Sequence, residues 1–305
     1  MTTSFSPAVR RPAHIARKAV TSTATGLAVA AVVALVATPE ATVAPMATAT
    51  VAIGSYNIRA GVSVGTFESA VRAVAANTDV AGIQEVNSHA KEDVLRSLGQ
   101  SGWSYYRGKP GEQSPVIWNQ SRFDLVSGRV AKIADGHYIG NELPKVSSVN
   151  PMYATVVHLR DRATGANISV VNVHLLPGAV INGRATPGRP RLFAAYKEAV
   201  TNLGSLTRSE RAFGRVFVLG DFNVGWVADK KVRLARLPFA TFWRQSMRSM
   251  WATERPTGGV GSHAGSPALI DQVYSTARAT NATVRSSIRY SDHFPVIATY
   301  TISNG

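Results

Sequence analysis

The feature that most constrains this chain is a set of short runs rich in β-branched residues. They are "VAIGSYNI" (51–58), "VAGIQEV" (80–86), "PVIWN" (115–119), "YATVVHL" (153–159), "ISVVNVHLL" (168–176), "VFVLGDF" (217–222 and its flank) and "PVIATYTI" (295–302). Each has the length and composition of a strand. Between them the spacing predicts helices over 66–77, 92–99, 190–206 and 229–247, the last ended or kinked at Pro238. Several strands follow one another with no helix between, so a strictly alternating parallel sheet is excluded. Strands in this excess bury their faces by packing sheet on sheet, with the helices outside, an α/β arrangement.

The ends of the chain and its charge narrow the class further. Arg10, Arg11, Arg17 and Lys18 precede the apolar run "GLAVAAVVALVA" (26–37), and small residues follow. That is the pattern of a secretory signal peptide over residues 1–49, cleaved after Ala44 or Ala49, with an uncleaved anchor as the alternative. Residues 50–305 show no linker, repeat or low-complexity tract and are expected to form one α/β domain. Cysteine is absent, which excludes disulfides, thiolate metal sites and thiol catalysis. Any metal must therefore be held by oxygen or by histidine. The formal charge is +15; the leader carries four basic side chains and one acid, which leaves +12 on the rest. Such an excess suits a polyanion, whereas its plainer meaning is solubility.

Polar residues recur where these strands end. Asn57 closes "SYN", Glu85 closes "IQE", His174 closes "VNVH", Asp221 and Asn223 close "GDFN", and Asp292 and His293 immediately precede the last strand. Asp271 in "LIDQVY" joins them. Singly, an Asn at a strand end is a turn former and an Asp after Gly is a helix cap. Strand alternation puts Asn172 and His174 on one face, and likewise Asp221 and Asn223. Gly220 keeps the backbone slim where a substrate must approach. Spacing does not show that these ends converge.

In order across residues 55–296, "SYNIRAG", "IQEV", "VNVHL", "LGDFNV", "LIDQVY" and "YSDHFPV" resemble the endonuclease/exonuclease/phosphatase superfamily, the fold of pancreatic-type DNase, AP endonucleases, neutral sphingomyelinases and inositol polyphosphate phosphatases. The resemblance implies a four-layer sandwich, two packed mixed β-sheets flanked by helices, and a phosphodiesterase site where strand ends meet. It implies Glu85 as a metal ligand assisted by Asn57 and Asp292, with Mg2+, or Mn2+ or Ca2+, as the ion. Asp221 matches the carboxylate that orients or deprotonates water, and Asn223 a donor to a phosphate oxygen. His293 matches a phosphate contact serving as base or charge stabiliser, with Asp271 fixing its tautomer. His174 matches a second histidine, a phosphate contact or general acid. Which histidine gives a proton and which takes one stays open.

The chain also departs from each subfamily it resembles. Ser114 stands where DNase-like members carry a glutamate that supports the histidine matched by His174, and Glu112 is out of register. Asn87 replaces an arginine that reads the minor groove, and Arg59 replaces an acid of the AP endonucleases. Arg59 and Asn87, with Trp226 beside the "GDFN" motif, are the candidate substrate contacts. Further candidates are the basic loop 183–191, the segment with Lys230, Lys231, Arg233 and Arg236, and the stacking surfaces Trp226, Trp243 and Trp251. A secreted nuclease acting as a monomer, with no stable protein partner, is the leading expectation. A sphingomyelinase-like or phosphomonoesterase activity, with Phe239, Phe242 and Trp243 available for membrane insertion, and a non-catalytic binding module are the alternatives.

Overall fold

Alternation along each strand decides the architecture. In the computed structural model, which describes residues 47–110, 113–254 and 259–304, the chain runs β1 (Thr48–Asn57), α1 (Val64–Ala75), β2 (Val80–Gln84), α2 (His89–Ser97), β3 (Trp103–Tyr106), β4 (Val116–Asn119), β5 (Phe123–Ala134), β6 (His137–Leu143), β7 (Val146–Val149), β8 (Met152–Asp161) and β9 (Asn167–His174). It continues through β10 (Val180–Ile181), β11 (Arg184–Ala185), α3 (Pro190–Glu210), β12 (Arg215–Asp221), α4 (Trp226–Val232), α5 (Pro238–Trp243), β13 (Arg248–Ser249), β14 (Asp271–Ser275), β15 (Ala279–Val284) and β16 (Val296–Ser303). The leader expected over 1–49 lies almost wholly outside the described residues. Only its last residues are described, and Thr48 and Ala49 pair with Ser303 and Ile302 in β1. No helix among the described residues is long and apolar enough to cross a membrane.

Two six-stranded mixed sheets form, ordered β15-β16-β1-β2-β4-β3 and β13-β14-β12-β9-β8-β5. Val51, Ile53, Val80 and Trp118 of the first meet Val170, Phe217, Leu219 and Val273 of the second in a shared core. The alternate residues face outward. Ala81, Ile83 and Ile117 pack under α1 and α2, and Val171, Val173, Val216 and Val218 pack under α3. The result is the four-layer sandwich, held chiefly by apolar burial between the layers. In α1 the buried residues Phe67, Ala70, Val71 and Val74 form one stripe, and the Ser63 hydroxyl caps it by accepting from Thr66 N–H. At Gly82 the sheets approach so closely that a Cβ would lie 2.0 Å from Leu219 Cδ1.

One expectation fails, and one long strand was not foreseen. The helix read over 229–247 is two helices: α4 ends at Val232, Arg233 and Arg236 take left-handed φ of 54° and 64°, and Pro238 opens α5 instead of closing a helix. Asp229, fully buried in α4, fixes the joint by accepting from Phe239 N–H at 2.8 Å. Burial pushes the Asp229 carboxyl up to about 7, with the Phe239 hydrogen bond opposing it. The folded chain thus keeps a proton that the unfolded chain releases above about pH 4. Stability is full below that pH and falls as pH rises towards 7, by about 4 kcal/mol if this group acts alone. Denaturation midpoints at pH 4.5 and 7.5 are expected to differ far less in Asp229→Asn, which keeps the acceptor and loses the titration. An equal pH dependence in the two proteins would refute this.

The long strand β5 is the second miss. It pairs with β8 at the edge of its sheet, and most of its residues are partly or fully exposed, so it has no apolar run to announce it.

Candidate active site

The inward-facing rows of the sandwich are apolar along most of their length and polar at one end. On β1 the row Val51–Ile53 continues as Ser55 and Asn57; on β9, Ile168–Val170 continues as Asn172 and His174; on β12, Phe217–Leu219 ends at Asp221. β1 and β2 are parallel, as are β9 and β12, so their C-terminal ends share one edge. β14 runs antiparallel to β12 and β16 antiparallel to β1, so their first residues arrive at that edge too. Asp221 pairs directly with His174 on one side and Asp271 on the other. Topology therefore performs the convergence that spacing could not show.

Beneath this edge lies a buried polar layer. Gln84 Nε2 donates to Asn172 Oδ1 at 2.7 Å, and Asn172 Nδ2 donates to the carbonyls of Ile83 and Pro115. Each of these buried groups is satisfied, so the layer clasps one sheet to the other without a desolvation cost left unmet.

Asp221, 1% exposed, is the hub of the site. Its Oδ1 accepts from Asn223 N–H at 2.8 Å and its Oδ2 from Asn57 Nδ2 at 3.1 Å. The Nε2 atoms of His174 and His293 stand 3.6 and 3.7 Å from the same Oδ2. Asn57 Nδ2 also donates to Glu85 Oε1 at 3.1 Å. That orientation leaves Asn57 Oδ1 buried with no hydrogen-bond partner, one of few such atoms among the described residues. Glu85 has a φ of 66°, a costly conformation for a side-chain-bearing residue. It is held there in part because Ala60 N–H donates to Oε2 at 2.7 Å. The Ala60 carbonyl in turn accepts from Lys91 Nζ at 2.9 Å. Lys91 is a buried α2 residue that the sequence reading missed, since an isolated lysine on a helix is read as solvated. Burial pulls its pKa down and the Glu85 charge works against that pull.

His293 Nδ1 donates to Asp271 Oδ2 at 2.9 Å, which leaves Nε2 facing Asp221. Burial alone would lower the pKa of this imidazole. The carboxylates of Asp271, Asp221 and Asp292 outweigh it and push the value up to about 9. Burial also raises Asp271, where His293 opposes it and Asp221 reinforces it. Both partners hold their proton more tightly than they would in water, because the site packs several carboxyl groups around one imidazole.

The predicted residues are unequally gathered. Asn57, Glu85, His174, Asp221, Asn223 and His293 line one cleft of about 350 Å³. Asp271 lies directly behind His293. Asp292 sits beside it, half-exposed, accepting from Ser291 Oγ and 3.8 Å from Arg59 Nε. Arg59 is exposed and reaches the site's edge through that contact and through its backbone N–H, which donates to Ser291 Oγ at 3.0 Å; Asn87 is exposed and does not line the cleft. Asn223 enters for a reason other than strand alternation. β12 has ended, Asn223 turns with a φ of 50°, and its Nδ2 donates to Leu175 O at 2.9 Å. Gly220 likewise serves the fold and not a substrate, because a Cβ there would lie 1.9 Å from Val173 O.

Trp226 does not line the cleft: at 2% exposure it packs in the core, with Lys230 Nζ 4.8 Å from its ring centroid. Trp251 is buried as well, its Nε1 donating to Asp271 O at 3.1 Å. Phe239 and Phe242 are core residues, which leaves only Trp243 of the three candidate insertion residues exposed. In the loop 183–191, Arg189 turns in to Gly178 O and Arg191 lies over the Tyr138 ring. His137 and His158 pair with Glu198 and Glu210. His263, by contrast, lines the cleft and packs edge-on against His293 at 4.7 Å. The bridge between these two residues places it, and the sequence signal was the motif "GSH" eight residues before Asp271. Among the described residues, no carboxylate other than Asp221 pairs with His174, in keeping with Ser114 in place of a glutamate. Glu112 is outside the described residues.

The donor set fits a hard divalent cation. Glu85 and Asp292 offer carboxylate oxygens, Asn57 an unpartnered amide oxygen, and thiolates are absent. The side chains of Asp221, Asp271 and His293 also bring ligand atoms within 4.8 Å of one another, as do those of His263, Asp292 and His293.

No family model matches the sequence, and no curated protein matches it. Solved structures do. An endonuclease/exonuclease/phosphatase family protein from Bacteroides thetaiotaomicron is similar with a TM-score of 0.61 at 19% identity, over 84% of this chain and 96% of that one. A mannosyl-6-phosphatase from the same organism gives 0.58 at 18%, over 83% and 99%. D. rerio TDP2 complexed with a single-strand DNA product gives 0.58 at 10%, over 84% and 100%. At these identities it is the fold that the likeness carries: the chain has the DNase-I-like α/β sandwich of the endonuclease/exonuclease/phosphatase proteins.

Proposed function

We propose that the protein is an exported, divalent-metal-dependent phosphodiesterase that hydrolyses nucleic acid. The observation that carries this reading is the Asp221 carboxylate, focused on one cleft with two imidazoles and an asparagine amide around it. In hydrolysis a water oxygen bonds to phosphorus, the phosphorus–oxygen bond to the leaving group breaks, water gives up a proton and the leaving oxygen gains one. Asp221 lines the cleft, and its Oδ2, between the two imidazoles, accepts the water's proton. His293, its Nδ1 committed to Asp271, presents a protonated Nε2 to the phosphate oxygens and offsets their charge. His174, the more exposed imidazole, supplies the proton to the leaving oxygen. Asn223 uses one N–H of its amide on Leu175 O and offers the second to the phosphate. Glu85, Asn57 Oδ1 and Asp292 would hold the cation, Mg2+, Mn2+ or Ca2+, which would supply Lewis-acid polarisation and offset the charge of the acidic cluster.

Nucleic acid is favoured by the +12 charge outside the leader and by the likeness to TDP2 with a DNA product. A phosphomonoesterase is the second reading, supported by the comparable likeness to a mannosyl-6-phosphatase. The purified chain is expected to cleave DNA or RNA with Mg2+ and to lose that activity in EDTA. Hydrolysis of sugar phosphates with no cleavage of either polymer would move the assignment to the second reading; inactivity on every phosphoester at any metal concentration would end both.

A further inference from the structure

Away from the cleft, the segment joining α4 to α5 and β13 encloses a second cavity, of about 220 Å³, that shares no lining residue with the cleft. Its floor is aromatic and its rim cationic. Phe239 stacks on Trp243 at 5.5 Å, Arg248 lies over the Trp243 ring at 3.6 Å, and Arg233 lies over Phe239 at 5.7 Å. Lys230 and Arg278 complete the rim. Among the described residues none of these four cations is in an ion pair, although arginines elsewhere on the molecule, such as Arg72 and Arg162, pair with acids. Cations gathered around aromatic planes without a carboxylate leave their field directed at solvent, where an anion can meet it.

We propose that this cavity is a second contact site for the nucleic-acid strand, a claim that rests on the reading of the cleft given above. Phosphates of the strand meet Lys230, Arg233, Arg248 and Arg278, and a base or sugar lies against the guanidinium-covered Trp243. An anionic membrane is the competing partner, because Val227, Leu234 and Trp243 are exposed nearby. The strand is preferred because the Trp243 ring carries the Arg248 guanidinium at 3.6 Å, a cation that a base or phosphate can meet and a bilayer interior cannot. The indole therefore cannot enter a bilayer without shedding its cation.

The test measures binding of a fluorescent single-stranded oligonucleotide by the full chain in EDTA, across a salt series. Each phosphate contact contributes roughly 0.7 to the slope of log affinity against log salt for a single strand. Arg233→Gln with Arg248→Gln is expected to lower that slope by about 1.4, and Lys230→Gln with Arg278→Gln to do the same. A control with Arg72→Gln and Arg162→Gln changes the net charge equally and is expected to keep the wild-type slope. Hydrolysis of a small phosphodiester is expected to be unchanged in every variant. Wild-type slopes in both cavity pairs, or an equal loss in the control, would overturn the proposal. So would Arg233- and Arg248-dependent binding to phosphatidylserine vesicles without binding to the oligonucleotide. Oligonucleotide binding that depends on the cavity, without cleavage in Mg2+, would retain this site and remove the nuclease reading. Cleavage with wild-type binding in the variants would do the reverse.

Discussion

Replacing Asp221 with asparagine is expected to lower kcat on a phosphodiester by roughly 10²–10⁴-fold, the usual cost of removing a positioned proton acceptor, with little change in KM. The substitution conserves shape, and an asparagine oxygen can still accept from Asn223 N–H as Oδ1 does now. What disappears is the negative charge that Asn57, His174 and His293 surround. A second signature follows from the electrostatics. After burial, which lowers it, the His293 pKa is set by Asp271 and then by Asp221 and Asp292, which raise it. Removing one of these charges lets the imidazole lose its proton at lower pH. The alkaline limb of the rate profile, which reports loss of that proton, should therefore move to lower pH in whatever activity remains. A residue acting only through packing could lower kcat but would leave that limb in place. Undiminished turnover in Asp221→Asn would show that the cleft is not the reacting site or that the chain binds without catalysing.

Much of the framework of this site was legible in the sequence because buried strands carry β-branched runs. The polar residues that close those runs stood out against them. "VNVH" and "LGDFN" display their chemistry because Val170, Phe217 and Leu219 commit the inner face to the core, so His174 and Asp221 at the ends of the same rows need another reason to be there. Their meeting depends on which strands are parallel, and that pairing between distant segments leaves no local trace. Edge strands were lost for the opposite reason: with one side exposed, β5 has too little apolar surface to announce itself. The α4–α5 joint was missed because the amphipathic spacing runs on past Val232. The break is imposed by left-handed Arg233 and Arg236 and by the buried Asp229 cap, all tertiary effects. Trp226 shows the limit in a single residue. A tryptophan beside lysines has the same sequence whether it stacks on a base or fills the core, and here the core holds it.

Gly220→Ala is the substitution expected to harm the fold most. Gly220 has a φ of 142°, which side-chain-bearing residues rarely adopt, and an added Cβ would lie 1.9 Å from the Val173 carbonyl oxygen. The neighbour it meets is backbone, fixed by the parallel pairing of Gly220 with Val173 in the middle of the second sheet. Backbone strain of roughly 1–3 kcal/mol and overpacking of a similar size add, so a loss of roughly 2–6 kcal/mol is expected, a large part of a typical domain's stability. Gly61→Ala is the comparison, since nothing lies within 4 Å of its added Cβ. The urea midpoint should fall sharply in the first variant and hold in the second; equal midpoints would mean that β9 and β12 do not pair as described. The consequence reaches the chemistry as well. Gly220 lies between Leu219 in the core and Asp221 in the cleft, so any chain that relieves the clash must shift β12 against β9. That same shift separates Asp221 from His174, its direct partner across the pair. A Gly220→Ala protein that still folds is therefore expected to lose activity beyond what its lowered stability explains, because here the packing of the sheet and the geometry of the site are set by one contact.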